Sequence, residues 1–215
     1  MQHKLEGMKI FQYMDVNTNK KVVLKRCKFG DDNLLNSLKN LDSPYIPKIL
    51  DIVEMPDNPS QKGIIMKYVP SAVPISIYTM PISDPNKLLE TCKQVVSAIK
   101  VLKEANLNCP EDNGEHYLVD NNNQFKFIDF DEPATNHTVA FSSILGNNIF
   151  YYNTDLYDEL LNKYNLLLKK IPHSYENTPL TRKELEEAEY NRGDDINIDF
   201  DIMLDAIDDL IMQGK

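Results

Sequence analysis

The chain has 215 residues, 33 acidic and 23 basic, for a formal net charge of −10; it is 42% hydrophobic and 26% charged. That length sustains a folded unit with a proper core, and the acidic balance argues against a nucleic-acid role driven by counterion release. Cys27, Cys92 and Cys109 are too widely and irregularly spaced for a disulfide framework or a metal knuckle, which points to a reducing compartment. No stretch approaches the roughly 18 consecutive apolar residues of a spanning helix. Residues 1–8 lack the apolar segment of a secretory signal. A cytoplasmic protein without membrane or nucleic-acid partners is expected.

Two strand-like runs, 8–14 and 21–27, flank Asp15-Val16-Asn17-Thr18-Asn19, a connector with hairpin chemistry because Asn and Asp tolerate positive φ. A short helix over 31–41 carries Leu34, Leu35, Leu38 and Leu41 at helical spacing, and Ser43-Pro44 ends it. Strands follow at 49–54 and 62–69, with a Pro/Asn/Ser loop between them. Residues 70–85 read as an irregular linker. Asp84-Pro85 then opens a helix over 86–105 with Leu88, Leu89, Cys92, Val95, Val96, Ile99 and Leu102 as its buried stripe.

Short apolar strands are predicted at 117–119 and 125–130, joined by an Asn run, and 131–150 reads as loop. A helix over 154–168 would be capped by Thr154 or Asp155. The polar stretch 172–195 reads as a flexible tether. The last segment, 196–212, places Ile198, Met203, Ile207 and Leu210 among many Asp, as an acidic amphipathic helix. This helix either packs back on the body or docks in a basic groove of a partner. Strands come first and helices second, which predicts an α+β body hinged near residues 68–72.

The order of these elements, with several strings, resembles the protein-kinase superfamily in a small, eroded form. Residues 15–25, ending Val22-Val23-Leu24-Lys25, are similar to the kinase hairpin that ends in V-A-I-K. Residues 38–46 resemble the end of the C helix and its loop. Gly63-Ile64-Ile65-Met66-Lys67-Tyr68-Val69 resembles the fifth strand and hinge, with Met66 as gatekeeper. Residues 102–131 align without a gap from the E helix to D-F-G, which stands here as Asp129-Phe130-Asp131. The resemblance implies a two-lobed kinase-like fold: a β-rich first lobe over 1–69, a truncated helical second lobe over 70–170, and the tether with its acidic helix over 171–215.

The resemblance also assigns roles. Phosphoryl transfer rests on positioning and charge neutralisation. Lys25 would reach the nucleotide phosphates, with Val23, Met66 and Tyr68 around the base. Asp129 would hold Mg²⁺ through oxygen. The plainer readings make Lys25 one of several surface lysines and Asp129 a strand-end acid in a solvated turn.

Other parts depart from the family pattern. The phosphate-loop glycines fall at His3, Leu5 and Met8, whose side chains block the backbone approach that glycine permits. The C-helix glutamate falls at Leu34, and Val23 replaces alanine above the base. Cys109-Pro110-Glu111 replaces H-R-D, so Glu111 stands at the base position, with Asp112 able to substitute only on a shifted backbone. Misplacement by ~1 Å can cost on the order of a hundredfold in rate. The loop lysine is Asn113, and the magnesium asparagine is His116, a nitrogen ligand poorly suited to Mg²⁺. His116 could instead join Glu111, Glu115 and Asp129 around a transition metal, although no Cys or second His stands at ligand spacing. Past Asp131 no A-P-E string appears, and Asp155 stands where a structural aspartate would tie down the catalytic loop.

Together these imply a pseudokinase: a regulatory module whose partner is a protein, a kinase or a kinase substrate, with ATP and Mg²⁺ as the cofactors a retained pocket would take. An active atypical ATP-dependent phosphotransferase, acting on protein Ser/Thr or a small molecule, is the alternative. A structural or interaction protein with a chance resemblance is the third reading.

Overall fold

Asp15 builds the first turn. Its carboxylate accepts hydrogen bonds from the Asn17 amide at 2.9 Å and the Thr18 hydroxyl at 2.6 Å, and Asn19 takes a left-handed φ of 53°. The turn joins β1 (Ile10–Asp15) to β2 (Lys20–Arg26) as an antiparallel hairpin. The computed structural model describes residues 10–27, 32–74, 84–107, 109, 116–129, 136–149, 153–172, 178–191 and 193–214.

After α1 (Asp32–Asn40), β3 (Ile49–Met55) and β4 (Asn58–Lys67) complete a four-stranded antiparallel sheet ordered β1-β2-β4-β3. The expected loop between β3 and β4 contracts to Pro56 and Asp57, because Met55 already pairs with Asn58. Strand alternation gives the sheet two apolar faces. Phe11, Leu24 and Met55 cluster on one, while Ile64 and Met66 join the main core with Leu35 and Leu38 of α1.

The main core is organised by α2 (Pro85–Glu104), whose first turn is capped by Asp84 accepting from the Asn86 amide at 3.0 Å. The stripe expected from its sequence is the stripe that is buried. Against it lies a second small sheet, β5 (Val73–Pro74), β6 (Tyr117–Val119) and β7 (Phe125–Phe127), in that spatial order. Tyr117, Phe125 and Phe127 turn inward with ring centroids 4.9 to 6.1 Å apart. Residues 44–47 staple this hairpin to the first sheet. The Phe127 amide donates to the Tyr45 carbonyl at 2.8 Å, and the Lys126 ammonium donates to the Pro44 carbonyl. The architecture is α+β, with the larger antiparallel sheet first and the helices following.

The second half departs from the sequence expectations in three places. Residues 131–150 were expected as loop, yet they contain α3 (His137–Ser142) continuing into a π-helical segment, Ser143–Ile149. Residues 138–145 are all buried, so no amphipathic stripe exists there to be read. Polar groups there are matched locally. Asn136 caps the helix by accepting from the Val139 amide at 2.8 Å, and the Thr138 hydroxyl bonds Asp195 and the Ile196 carbonyl, both at 2.8 Å.

Next to Thr138, His137 places Nε2 3.1 Å from the Leu107 carbonyl and Nδ1 4.0 Å from Asp195. Burial lowers its pKa from the ordinary 6.5, against opposing effects of the Leu107 bond and the Asp195 charge. A lowered folded pKa favours the neutral ring in the native state. Its contribution is therefore complete above pH 6.5 and lost as the pH falls from there through the folded value. Urea melts between pH 7 and pH 5 are expected to show a steeper loss for the native chain than for His137→Gln.

The second departure is smaller: α4 (Thr154–Leu168) is capped by Asn153, which accepts from the Leu156 amide at 3.0 Å, not by Thr154 or Asp155. Asp155 is exposed in the first turn. The third lies in the supposed tether, which carries α5 (Arg182–Tyr190) behind a capping box. Thr181 accepts from the Glu184 amide, and Glu184 accepts in return from the Thr181 amide at 2.6 Å.

The acidic C-terminal helix, α6 (Phe200–Gln213), packs on α2 and α4, burying Phe200, Ile202, Met203, Ala206, Ile207, Leu210 and Ile211. Its acids meet bases of the same chain. Asp208 pairs with Lys93 at 2.6 Å, Asp209 with Lys163 at 3.9 Å, and Asp201 with Lys100. The bases that a docking helix would seek are supplied by α2 and α4. Among the described residues no helix is long and apolar enough to cross a membrane.

Candidate functional site

Val23 and Lys25 alternate with Val22 and Leu24 along β2, and Val23 lies opposite Met66 of β4 in the ladder. Both therefore face the groove between the first sheet and the β6–β7 hairpin. Lys25 is 5% exposed, an unusual position for an ammonium. Its Nζ is ion-paired with Asp129, at the mouth of the hairpin just past β7. The Lys25 side chain is 7% exposed and that of Asp129 15%. Desolvating both charges is costly, and their attraction in the low-dielectric groove offsets it. Lys25 and Asp129 are thus a shielded pair, against the plainer readings of a surface lysine and a solvated acid.

His116 stands one rung beyond Tyr117, where its carbonyl accepts from the Ile128 amide at 3.1 Å. This bond places its backbone beside the residue that precedes Asp129. His116 Nε2 lies 3.2 Å from Asp129 Oδ2, while Lys25 engages Oδ1 of the same carboxylate. Lys25 and His116, from distant parts of the sequence, thus converge on one carboxylate. Leu34 packs against the main core, and the nearby Asp32 pairs with Lys62 at 3.6 Å.

Beside Lys25 opens an apolar slot of about 140 Å³, walled by Val23, Met66, Tyr68 and Val69 on one side and by Leu118 and Ile128 on the other, with Ile10 and Pro47 at its edges. This is below the ~300–1,000 Å³ of a pocket for a whole drug-sized ligand. It suits one flat ring system of about purine size, with anything charged lying toward Lys25. Lys21 sits over the Tyr68 ring at 5.3 Å and steadies that wall. A larger open hollow of about 760 Å³ lies between α4 and residues 179–182. Its lining mixes exposed polar side chains with Leu161, Leu166, Pro179 and Leu180, and no buried charge faces it.

The expected base-pocket residues Val23, Met66 and Tyr68 are therefore together with Lys25, and Lys25, Asp129 and His116 form one cluster. Glu111 and Asp112 lie outside the described residues, as do Asn113, Glu115, Asp131 and His3, Leu5 and Met8, which were expected at phosphate-loop positions. Leu118, Ile128, Val69 and Pro47 were not singled out from the sequence. For Leu118 and Ile128 the signal was present: they are out of phase with the inward residues Tyr117, Val119, Phe125 and Phe127. Cys109 is buried, and burial pushes its thiol pKa up, away from nucleophilic use. A scan against protein-family models finds no match for the chain, and no curated protein matches its sequence.

Proposed function

We propose that the chain is a kinase-like nucleotide-binding module of the pseudokinase kind, which binds an adenine nucleotide and regulates a protein partner without ordinary phosphoryl transfer. The observation that carries this reading is the shielded Lys25–Asp129 pair at the polar end of an apolar, purine-sized slot. The strand order β1-β2-β4-β3 with α1 inserted before β3, and the later hairpin that delivers Asp129, also support a two-lobed kinase-like body. In this reading Val23, Met66, Leu118 and Ile128 sandwich the base by burial of apolar area, and Tyr68 and Val69 border its edge. Lys25 meets the phosphates, which lie outside the slot because it is too small for them.

Loss of transfer follows from the same residues. Productive transfer needs the nucleophile, base and phosphate held to within a fraction of an ångström. The sequence carries Glu111 for the usual aspartate, and Leu34 in place of the acid that would orient Lys25. Asp129 supplies the hard oxygen donor that Mg²⁺ takes, whereas His116 supplies a nitrogen that Mg²⁺ takes poorly. The donor set as a whole does not match Mg²⁺.

Incubation with γ-labelled ATP and generic protein or small-molecule acceptors is expected to transfer no label above the Asp129→Asn control. Label transferred by the native chain and abolished in that control would make it an active atypical phosphotransferase.

A further inference from the structure

The first sheet has two outer strands, and they are built differently. β3 is guarded in the manner of edge strands: its register shifts between Ile49 and Asp51 and between Glu54 and Met55, each shift beside an acid. β1 has none of these devices. It pairs with β2 in unbroken register from Ile10 to Asp15, with no proline, no bulge and no charge before Asp15. Among the described residues no strand lies along its other edge, and Ile10, Tyr13 and Met14 stand 53%, 44% and 51% exposed. We propose that two copies of the chain meet at this edge, β1 against β1, joining their four-stranded sheets into one.

The strand's own sequence selects a second copy as the occupant. A two-fold pairing of identical antiparallel strands needs a pattern that reads alike from both ends. β1 has such a pattern, centred on Gln12: aliphatic Ile10, aromatic Phe11, Gln12, aromatic Tyr13, aliphatic Met14. Directly opposite residues share a face of the sheet, so the axis passes through a residue and not between two. With the axis at Gln12, Ile10 meets the partner's Met14 and Phe11 meets the partner's Tyr13. Every exposed apolar side chain of the strand then gains an apolar neighbour.

Phe11 and Tyr13 already lie 6.3 Å apart within one strand, so the pairing gathers the rings of both copies on one face. Other registers lose this match. An axis at Phe11 sets Tyr13 against the partner's Lys9, and an axis at Tyr13 sets Phe11 against the partner's Asp15. Charge favours the Gln12 register as well: continued by one residue along the sequence, it sets Lys9 opposite the partner's Asp15. One short strand per copy falls short of the roughly 1,200–2,000 Å² of a stable interface, so the dimer is weak and reversible. It does not depend on nucleotide.

Sedimentation of the full chain without ligand, from low to high micromolar concentration, tests the association. A reversible monomer–dimer equilibrium is expected, weakened roughly tenfold or more by Tyr13→Lys, which removes both aromatic pairs. Tyr13 is half-exposed, so the dilute variant is expected to melt like the native chain. Disulfide capture reads the register, since Cys27, Cys92 and Cys109 are all buried. Gln12→Cys would face its own copy at a Cα separation of about 4.5–5.5 Å, which a disulfide spans. Met14→Cys, on the same face and also exposed, would lie about 14 Å from its copy along the strand, beyond the ~7 Å limit. Mild oxidation at high concentration is expected to cross-link Gln12→Cys quickly and Met14→Cys only by chance collision. A chain that stays monomeric at every concentration would overturn the proposal. So would a dimer indifferent to Tyr13→Lys, or equal cross-linking of the two cysteine variants.

Discussion

Asp129→Ala is expected to lower the stability of the free protein by about 3–5 kcal/mol, because it removes the shielded carboxylate that faces the buried Lys25 ammonium. At this chain length that corresponds to a fall in Tm of roughly 6–20 °C. Lys25→Met should destabilise less, since methionine fills similar volume and Asp129, the more exposed partner, keeps His116 3.2 Å away. The double variant Lys25→Met with Asp129→Leu is expected to recover most of the loss, since replacing both members of a buried pair by apolar groups is often neutral or stabilising. Its nucleotide binding should nevertheless be gone. This double-mutant cycle separates the structural role of the pair from its functional one. If both single variants melted within about 0.5 kcal/mol of the native chain, as surface changes do, the pair would not be shielded in solution.

The second large effect concerns α6. Removing residues 198–215 is expected to abolish cooperative unfolding. The six large buried side chains of α6, Phe200, Ile202, Met203, Ile207, Leu210 and Ile211, contribute roughly 1.5–3 kcal/mol each on burial, against a total stability for a domain of about 5–15 kcal/mol. Their removal would bare the apolar faces of α2 and α4, and the Tyr164 hydroxyl would lose the Asp199 amide that donates to it at 3.3 Å. Two point variants refine the test. Ile207→Ala should cost about 2–5 kcal/mol as a core truncation. Asp208→Asn should cost no more than about 1 kcal/mol, because the Lys93–Asp208 pair is roughly half exposed on both sides. A truncated chain that melted like the full one would instead make α6 a detachable arm.

The legible parts of the fold were those where one strong local rule acts. The β1–β2 hairpin is written in the Asp15 and Asn19 turn chemistry, and α2 in the Asp84 cap and a long apolar stripe. Where burial surrounds a helix, as over residues 138–145, periodicity vanishes and the reading failed. The polar stretch before α6 misled for another reason. Its nine-residue helix is mostly charged and exposed, and Thr181 with Glu184, three residues apart, was the overlooked start signal. At the site, Lys25 and Asp129 were named through the family resemblance, but their pairing is a long-range contact that no local pattern encodes. The 3.2 Å approach of His116 to Asp129 depends on the register of β6 against β7, which follows from tertiary packing and was beyond reach of the sequence.

Thermal unfolding of the full chain with saturating ATP, beside Lys25→Met under the same conditions, tests the nucleotide-binding reading most directly. Ligand at ~100 times its dissociation constant stabilises a fold by about 2.7 kcal/mol, which at this size raises Tm by roughly 5–10 °C. That rise is expected in the native chain and absent in the variant. An unchanged Tm in the native chain, or an equal rise in Lys25→Met, would contradict a nucleotide held between Lys25, Asp129 and the apolar slot.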